Sequence, residues 1–199
     1  MKTSFTASRR AQVRATADER ARTLPGDERI PQAIDTLTHG VTIRRAPREV
    51  WPWLAQMGAG SRGGWYSYDW LDNGRKPSAA RIVPELQHPS IGTVFPALPG
   101  VTEGFTLLAI EHERVLTLGW LAPDRTAEVT WTFVLEEVQP GVTRLLVRVR
   151  GGPGYRFHGL PLPLTRIVIR AVHFIMQRKQ LLGIKRRAES LTAPFSSAG

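Results

Sequence analysis

The sequence predicts an α+β domain in which an antiparallel sheet is covered by one long C-terminal helix. Three observations carry that prediction. Between residues 93 and 150, short runs of β-branched and aromatic residues alternate with polar ones and are joined by hairpin-length connections. The run Thr165 to Leu191 contains no proline and one glycine, and repeats apolar residues at three-to-four-residue intervals. Two consecutive strand candidates present one apolar and one charged face, as in a sheet buried on one side only.

In chain order, residues 1–23 are polar and Arg-rich. They predict a helix from about Ser8, as N-cap, to Thr23, with no strong apolar stripe, so that it docks weakly or frays. Leu24-Pro25-Gly26-Asp27 forces a turn, and residues 24–37 read as an extended lead-in lying on the domain. Thr38 to Arg45 alternates as a half-buried strand, with Val41 and Ile43 on one side. Pro47 suits the first turn of a following helix. Pro52 has no N–H to donate, so this helix is either short and kinked or begins close to Pro52, and Gly58 ends it. Ser67 is a candidate cap for a short helix, Tyr68 to Asp72, stopped by Asn73-Gly74. Residues 75–92 read as a loop with at most a helical turn near Ile82 to Leu86.

Five strands then follow: Thr93–Ala97, Phe105–Glu111, Val115–Trp120, Glu128–Val138 and Thr143–Arg150. In the fourth, Val129, Trp131, Phe133 and Leu135 share the apolar face. In the fifth, Leu145, Val147 and Val149 oppose Arg144, Arg148 and Arg150. Gly151 to Gly154 ends the sheet, and Tyr155 to Pro163 forms a loop. A helix of about 26 residues then spans about 39 Å, enough to cross the sheet. Gly183 costs this helix about 1 kcal/mol. The domain so defined covers residues 24–191, preceded by a basic, partly flexible segment (1–23) and followed by a flexible tail (192–199).

One stretch concentrates the aromatic residues. Trp51 to Trp70 holds Trp51, Trp53, Trp65, Tyr66, Tyr68 and Trp70, six of the nine Trp and Tyr residues. Between them lies Gly58-Ala59-Gly60-Ser61-Arg62-Gly63-Gly64, a segment that reads as a flexible hinge. Amphipathic rings flanking such a segment suit either the rim of an apolar pocket or the closure of a core.

Composition sets bounds. The chain has 199 residues, 42% hydrophobic and 22% charged, and no cysteine, which removes disulfides, thiol nucleophiles and thiolate metal sites and fits a cytoplasmic setting. The start lacks the continuous apolar segment of a secretory signal. The best membrane-span candidate, Leu160 to Met176, is interrupted by Pro161, Pro163, Arg166, Arg170 and His173. The net charge of +10 gathers at the two ends, with +4 in residues 1–50 and +7 in residues 151–199. Such ends attract nucleic acid or an anionic membrane, or simply form solvated helix faces. Lys185, Arg186 and Arg187 sit where the helix dipole favours cations. The Trp cluster and the basic run lie in different segments, which weighs against nucleic acid. Peripheral contact with an anionic membrane stays compatible with the pattern.

No motif announces chemistry. The five histidines, at 39, 88, 112, 158 and 173, are scattered and form no metal-binding spacing. The paired glycines are not a dinucleotide fingerprint, and Gly-x-Ser-x-Gly is absent. No cofactor is implied.

The order strand, two short helices, antiparallel strands and a long C-terminal helix resembles the helix-grip fold of the START-like, or SRPBCC, superfamily. That superfamily includes Bet v 1-like and polyketide cyclase/dehydrase-like proteins. Leu24-Pro25-Gly26-Asp27-Glu28, Val50-Trp51-Pro52-Trp53-Leu54, Gly64-Trp65-Tyr66-Ser67-Tyr68-Asp69-Trp70, Arg81-Ile82-Val83-Pro84-Glu85 and Leu182-Gly183-Ile184-Lys185-Arg186-Arg187 resemble an uncharacterised bacterial branch of it. The resemblance covers about residues 24–190. It implies a curved sheet of about six or seven strands gripping the helix, with an apolar cavity between them.

On that reading Trp131 and Phe133 face inward from the sheet, Phe174 faces inward from the helix, and Phe157 and His158 stand on the loop entering it. Trp65 and Tyr68 line the mouth. The expected function is binding of a small hydrophobic or amphipathic molecule, oriented by His158, Tyr68 or an inward Arg. The alternatives are an enzyme of the cyclase or dehydratase type, with His158 or Asp69 as acid–base and Glu103 as a further carboxylate, and an interaction module using the basic helix end.

Overall fold

The computed structural model describes residues 13–153 and 162–190. Six strands form one antiparallel sheet: β1 (Asp35–Ile43), β2 (Val94–Pro96), β3 (Gly104–Glu111), β4 (Val115–Leu121), β5 (Ala127–Gln139) and β6 (Val142–Gly151). Their spatial order is β1-β6-β5-β4-β3-β2. Strands β2 to β6 form a continuous meander, and β1 pairs with the last of them. The long connection from β1 to β2 holds helices α2 (Pro47–Ala55) and α3 (Asp69–Asp72). Helix α4 (Leu162–Ser190) packs against β1 and α2. This is the α+β helix-grip architecture.

The alternation read in β5 and β6 sets the register. Trp131 lies opposite Val149, Phe133 opposite Val147 and Leu135 opposite Leu145. With Leu116 and Leu118 of β4 they form the inner face. Trp53, Leu54 and Met57 pack on it from α2, and Leu181, Ile184 and Ala188 from α4.

Gly183 is a requirement of this packing. The α4 backbone passes so close to the Tyr66 carbonyl that a Cβ at residue 183 would collide with it. Tyr66 is itself fixed in the left-handed region (φ 60°).

Several local expectations need correction. Helix α2 ends at Ala55, before Gly58, with Pro47 in its first turn and Pro52 inside it. Helix α3 begins at Asp69, and Ser67 does not cap it. The Ser67 hydroxyl donates instead to the Met176 carbonyl (3.3 Å). The glycine segment is fastened. Gly58 and Gly64 exchange two backbone bonds (2.8 and 3.3 Å), and Gly63 N–H donates to Gln56 O (2.7 Å). The Arg62 guanidinium donates to the carbonyls of Met57 and Ala55 and lies 4.1 Å from the Phe95 ring centroid. Positive φ at Gly58, Gly60 and Gly64 lets the chain fold back on itself, and the carbonyls that Arg62 collects hold it there.

The largest correction concerns the other face of the sheet, expected to be bare. Residues 13–31 lie across it. Helix α1 is only Ala17–Ala21, closed by a reciprocal cap in which Glu19 N–H donates to Thr16 Oγ1 (3.1 Å) and Thr16 N–H to Glu19 Oε2 (2.7 Å). The proposed cap Ser8 lies outside the described residues. The Arg148 side chain of β6, 3% exposed, donates to Asp27 Oδ2 (2.6 Å), to Thr38 Oγ1 (3.0 Å) and to the carbonyls of Glu19, Arg20 and Arg22 (2.7, 3.1 and 2.8 Å). Arg144 pairs with Glu19 (2.8 Å), and Arg150 donates to Ile30 O (2.9 Å). Leu24 fills a small second core with Val134 and Leu146. The arginines read as a solvated face are the fasteners of a strap.

Candidate functional site

Between the sheet, the 65–72 segment and α4 lies a cavity of about 210 Å³. One wall is aromatic. Trp65 and Trp131 stack at 5.3 Å and 21°, and Phe105 meets Trp131 edge-on at 5.2 Å. Trp65 is fixed because its indole N–H donates to the carbonyls of Pro96 and Ala97 (both 3.2 Å). The opposite wall is the polar stripe of α4: His173, Met176, Gln177 and Gln180. Trp131 Nε1–H donates to Gln177 Oε1 (3.0 Å), and Gln177 Nε2 donates to Gln180 Oε1 (2.8 Å). Gln180 Nε2 then reaches the Met57 sulfur (3.7 Å). This relay satisfies the two buried amides and locks their orientation.

Two lining groups remain unsatisfied. Asp72 is 6% exposed, and neither of its carboxylate oxygens has a hydrogen-bond partner. The Ser67 hydroxyl and the backbone of Asp72 and Tyr68 stand close enough to favour the charged form, but the hydroxyl donates to the Met176 carbonyl. Burial, with the charge of Asp69 adding to it, pushes the Asp72 carboxyl up to about 6. His173 Nε2 is likewise buried without a partner. Burial and the neighbouring His39, at 5.8 Å between ring centroids, push its imidazole down to about 4, so it is neutral at physiological pH. A cavity with an apolar wall and a few convergent polar atoms is the ordinary form of a small-molecule site.

The expected site residues divide. Trp65 and Trp131 line the cavity, and Phe133 lies directly behind Trp131 at 5.2 Å, fully buried. Phe174, expected to face inward, is 47% exposed beside the His39 ring (5.7 Å), because α4 turns its Gln177–Gln180 stripe to the cavity instead. Tyr68 faces a second groove, not this mouth. Asp69 is occupied structurally, accepting from the Ser78 amide (3.0 Å) and hydroxyl. Glu103 is exposed in the β2–β3 connection. Phe157 and His158 lie outside the described residues.

Asp72, His173, Gln177 and Gln180 were missed. Asp72 reads in sequence as part of an Asp-Asn-Gly helix stop, and the glutamines as a polar helix face. A signal was present: Gln177 stands four before Leu181 and Gln180 four before Ile184, which puts both glutamines on the apolar face of the helix.

The second groove, about 410 Å³, adjoins the cavity through Ser67 and is lined by Tyr66, Tyr68, Asp69, Trp70, Arg75, Pro77, Lys179, Arg186 and Arg187. Here the structure brings part of the aromatic cluster beside the basic run, since Tyr66, Ser67 and Tyr68, just before α3, pack against the C-terminal half of α4. Among the described residues no three His, Asp or Glu side chains gather as a metal site. No helix there is long and apolar enough to cross a membrane.

Neither a protein-family model nor a curated protein matches the chain. Solved structures do resemble it. A protein from Mesorhizobium loti has 16% identity and a TM-score of 0.49, covering 80% of this chain and 100% of its own. The Zhui aromatase/cyclase from Streptomyces sp. R1128 has 14% identity and a TM-score of 0.49, covering 82% and 99%. A conserved protein of unknown function from Enterococcus faecalis has 16% identity and a TM-score of 0.47, covering 87% and 86%. These likenesses lie in the path of the chain and carry no function across.

Proposed function

We propose that the chain binds a small hydrophobic or amphipathic molecule in the cavity between the sheet and α4. The observation that carries this is the coincidence, in one cavity, of a stacked aromatic wall with the unpartnered polar atoms of Asp72 and His173. Buried polar groups without partners are costly, and a ligand that supplies hydrogen bonds removes that cost. The cavity is open on one side, so its volume sets the scale of the part of a ligand that is buried. At about 210 Å³ the cavity exceeds an engineered one of about 150 Å³ that holds benzene, and falls below the roughly 300 Å³ at which drug-sized pockets begin. The reading is therefore a ligand of one or two fused rings, with its apolar face on Trp65 and Trp131 and a hydrogen-bond donor toward Asp72.

One observation favours a second reading. A carboxyl group titrating near 6 inside a ligand cavity is poised for acid–base chemistry near neutral pH. On that reading Asp72 is the proton-transferring group and the neutral His173 orients the substrate.

The test is native mass spectrometry of the purified protein, followed by extraction and identification of bound small molecules. A stoichiometric ring-sized ligand supports the cavity reading. A protein that is empty and also refuses a panel of single- and double-ring lipophiles overturns it. With a ligand identified, Asp72→Asn separates the two readings: a binder loses affinity modestly, whereas an enzyme loses turnover while binding persists.

A further inference from the structure

We propose that the groove between α3 and the C-terminal half of α4 is a second binding site, for a small planar aromatic molecule carrying a phosphate or pyrophosphate group. The inference is independent of what the cavity holds.

Charge is the first argument. Four cations, Arg75, Lys179, Arg186 and Arg187, line the groove. Among the described residues none of them has a carboxylate within ion-pair distance. The one acid in the lining, Asp69, accepts from the Ser78 amide and hydroxyl and keeps its charge, so the four cations outweigh it. What sets the groove apart is the gathering of four cations and one carboxylate in a single lining that also holds Tyr68 and Trp70.

Preorganisation is the second. The Arg187 guanidinium donates to the carbonyls of Ala79, Ser78 and Gly183 and lies 4.7 Å from the Tyr66 ring centroid. It is a fixed, half-buried charge held by carbonyls, with Asp69 acting on it only through space. Arg75 stands at the exposed rim, its main chain fixed by an amide that donates to Asp69 O (2.7 Å). A cation fixed as Arg187 is costs a phosphate ligand little ordering.

The third is the aromatic pair. Trp70, 67% exposed, meets Tyr68 edge-on at 6.5 Å, and Lys179 Nζ stands 5.7 Å from the Tyr68 ring centroid. A large exposed indole beside unpaired cations gives a planar ligand a stacking face within reach of its own charge. The groove's volume of about 410 Å³ suits a ring with a charged tail better than a lone ion.

The test is isothermal titration calorimetry of the full chain with ADP at low salt. Adenosine and pyrophosphate serve as half-ligands. ADP is expected to bind at least tenfold more tightly than either half. Trp70→Ala weakens it about tenfold, as loss of one stacking partner does, while Trp70→Phe retains binding. Lys179→Ala combined with Arg186→Glu weakens ADP at least tenfold and leaves adenosine unchanged. All three positions are exposed, and unchanged thermal midpoints certify the fold. Failure of ADP to bind at millimolar concentration overturns the proposal, as does equal affinity for pyrophosphate with no effect of Trp70→Ala. A ten-residue oligothymidylate that binds a hundredfold more tightly than ADP and ignores Trp70→Ala would also overturn it, showing a surface that follows a polyanionic chain.

Discussion

Arg148 and Asp72 are both buried charged residues, and the protein treats them oppositely. Arg148, on the outer face of the sheet, is saturated by an ion pair with Asp27, a threonine hydroxyl and three carbonyls. Asp72, beside the inner cavity, has no partner on either oxygen. The difference separates structure from site. A saturated buried charge holds two segments together, because removing its partner strands a charge. An unsaturated one costs stability and persists where something outside the chain completes it.

The largest expected effect breaks the saturated side. Arg148→Ala should destabilise the fold by about 3–5 kcal/mol in urea denaturation, the range for breaking a buried pair. Adding Asp27→Asn should recover part of that loss, since the stranded charge goes with it. Equal stability of the single and double variants would place the loss in the carbonyl bonds instead.

On the unsaturated side, Asp72→Asn should stabilise the protein by about 1–2 kcal/mol at pH 8, where the parent holds a desolvated carboxylate. A variant less stable than the parent would mean that the carboxylate has a partner in solution.

The same substitution sharpens the pH dependence. Asp72 is raised to about 6, so its penalty is relieved as pH falls through 6. His173 is depressed to about 4. The stability it contributes is full above the ordinary histidine value of about 6.5 and is lost as pH falls from there toward 4. The two oppose each other, leaving the parent's stability nearly level across this window. Asp72→Asn should therefore steepen the fall between pH 6.5 and 4, read by denaturant midpoints at half-unit steps.

The smallest effect is Glu19→Gln. Its carboxyl is held low by hydrogen bonding to Arg144, against some desolvation, and that stability is present above the ordinary carboxylate range and lost below it. A loss of about 1 kcal/mol at pH 7 that vanishes near pH 3 is expected.

What the sequence made legible follows from what periodicity measures. Alternation exposed β5 and β6 with Trp131 and Phe133 on the inner face, and helical spacing exposed α4, because repeating apolar residues report which face is buried. Aromatic density pointed to Trp65 for a related reason, since large rings go where area is buried. Periodicity is silent on polar partnerships. Arg144, Arg148 and Arg150 alternate as a solvated face would, and their partners Glu19, Asp27 and Ile30 lie more than a hundred residues earlier. Asp72 escaped because an unsatisfied carboxylate is defined by what surrounds it. The second groove escaped because Trp70 and Arg186 reach one lining only through the packing of residues 66–68 on α4.

The Arg148 grip has a consequence for how the start of the chain can vary. Three of its five contacts are to the carbonyl oxygens of residues 19, 20 and 22, a group every amino acid carries. Arg148 therefore reads spacing in that stretch and ignores side-chain identity. Substitutions at Arg20 or Ala21 leave its oxygens in place. A single inserted residue between Arg22 and Asp27 moves the carbonyls out of step with the carboxylate that completes the set. As far as the Arg148 grip is concerned, selection here would act on length, while composition stays tied at Glu19 by Arg144 and at Leu24 by the second core.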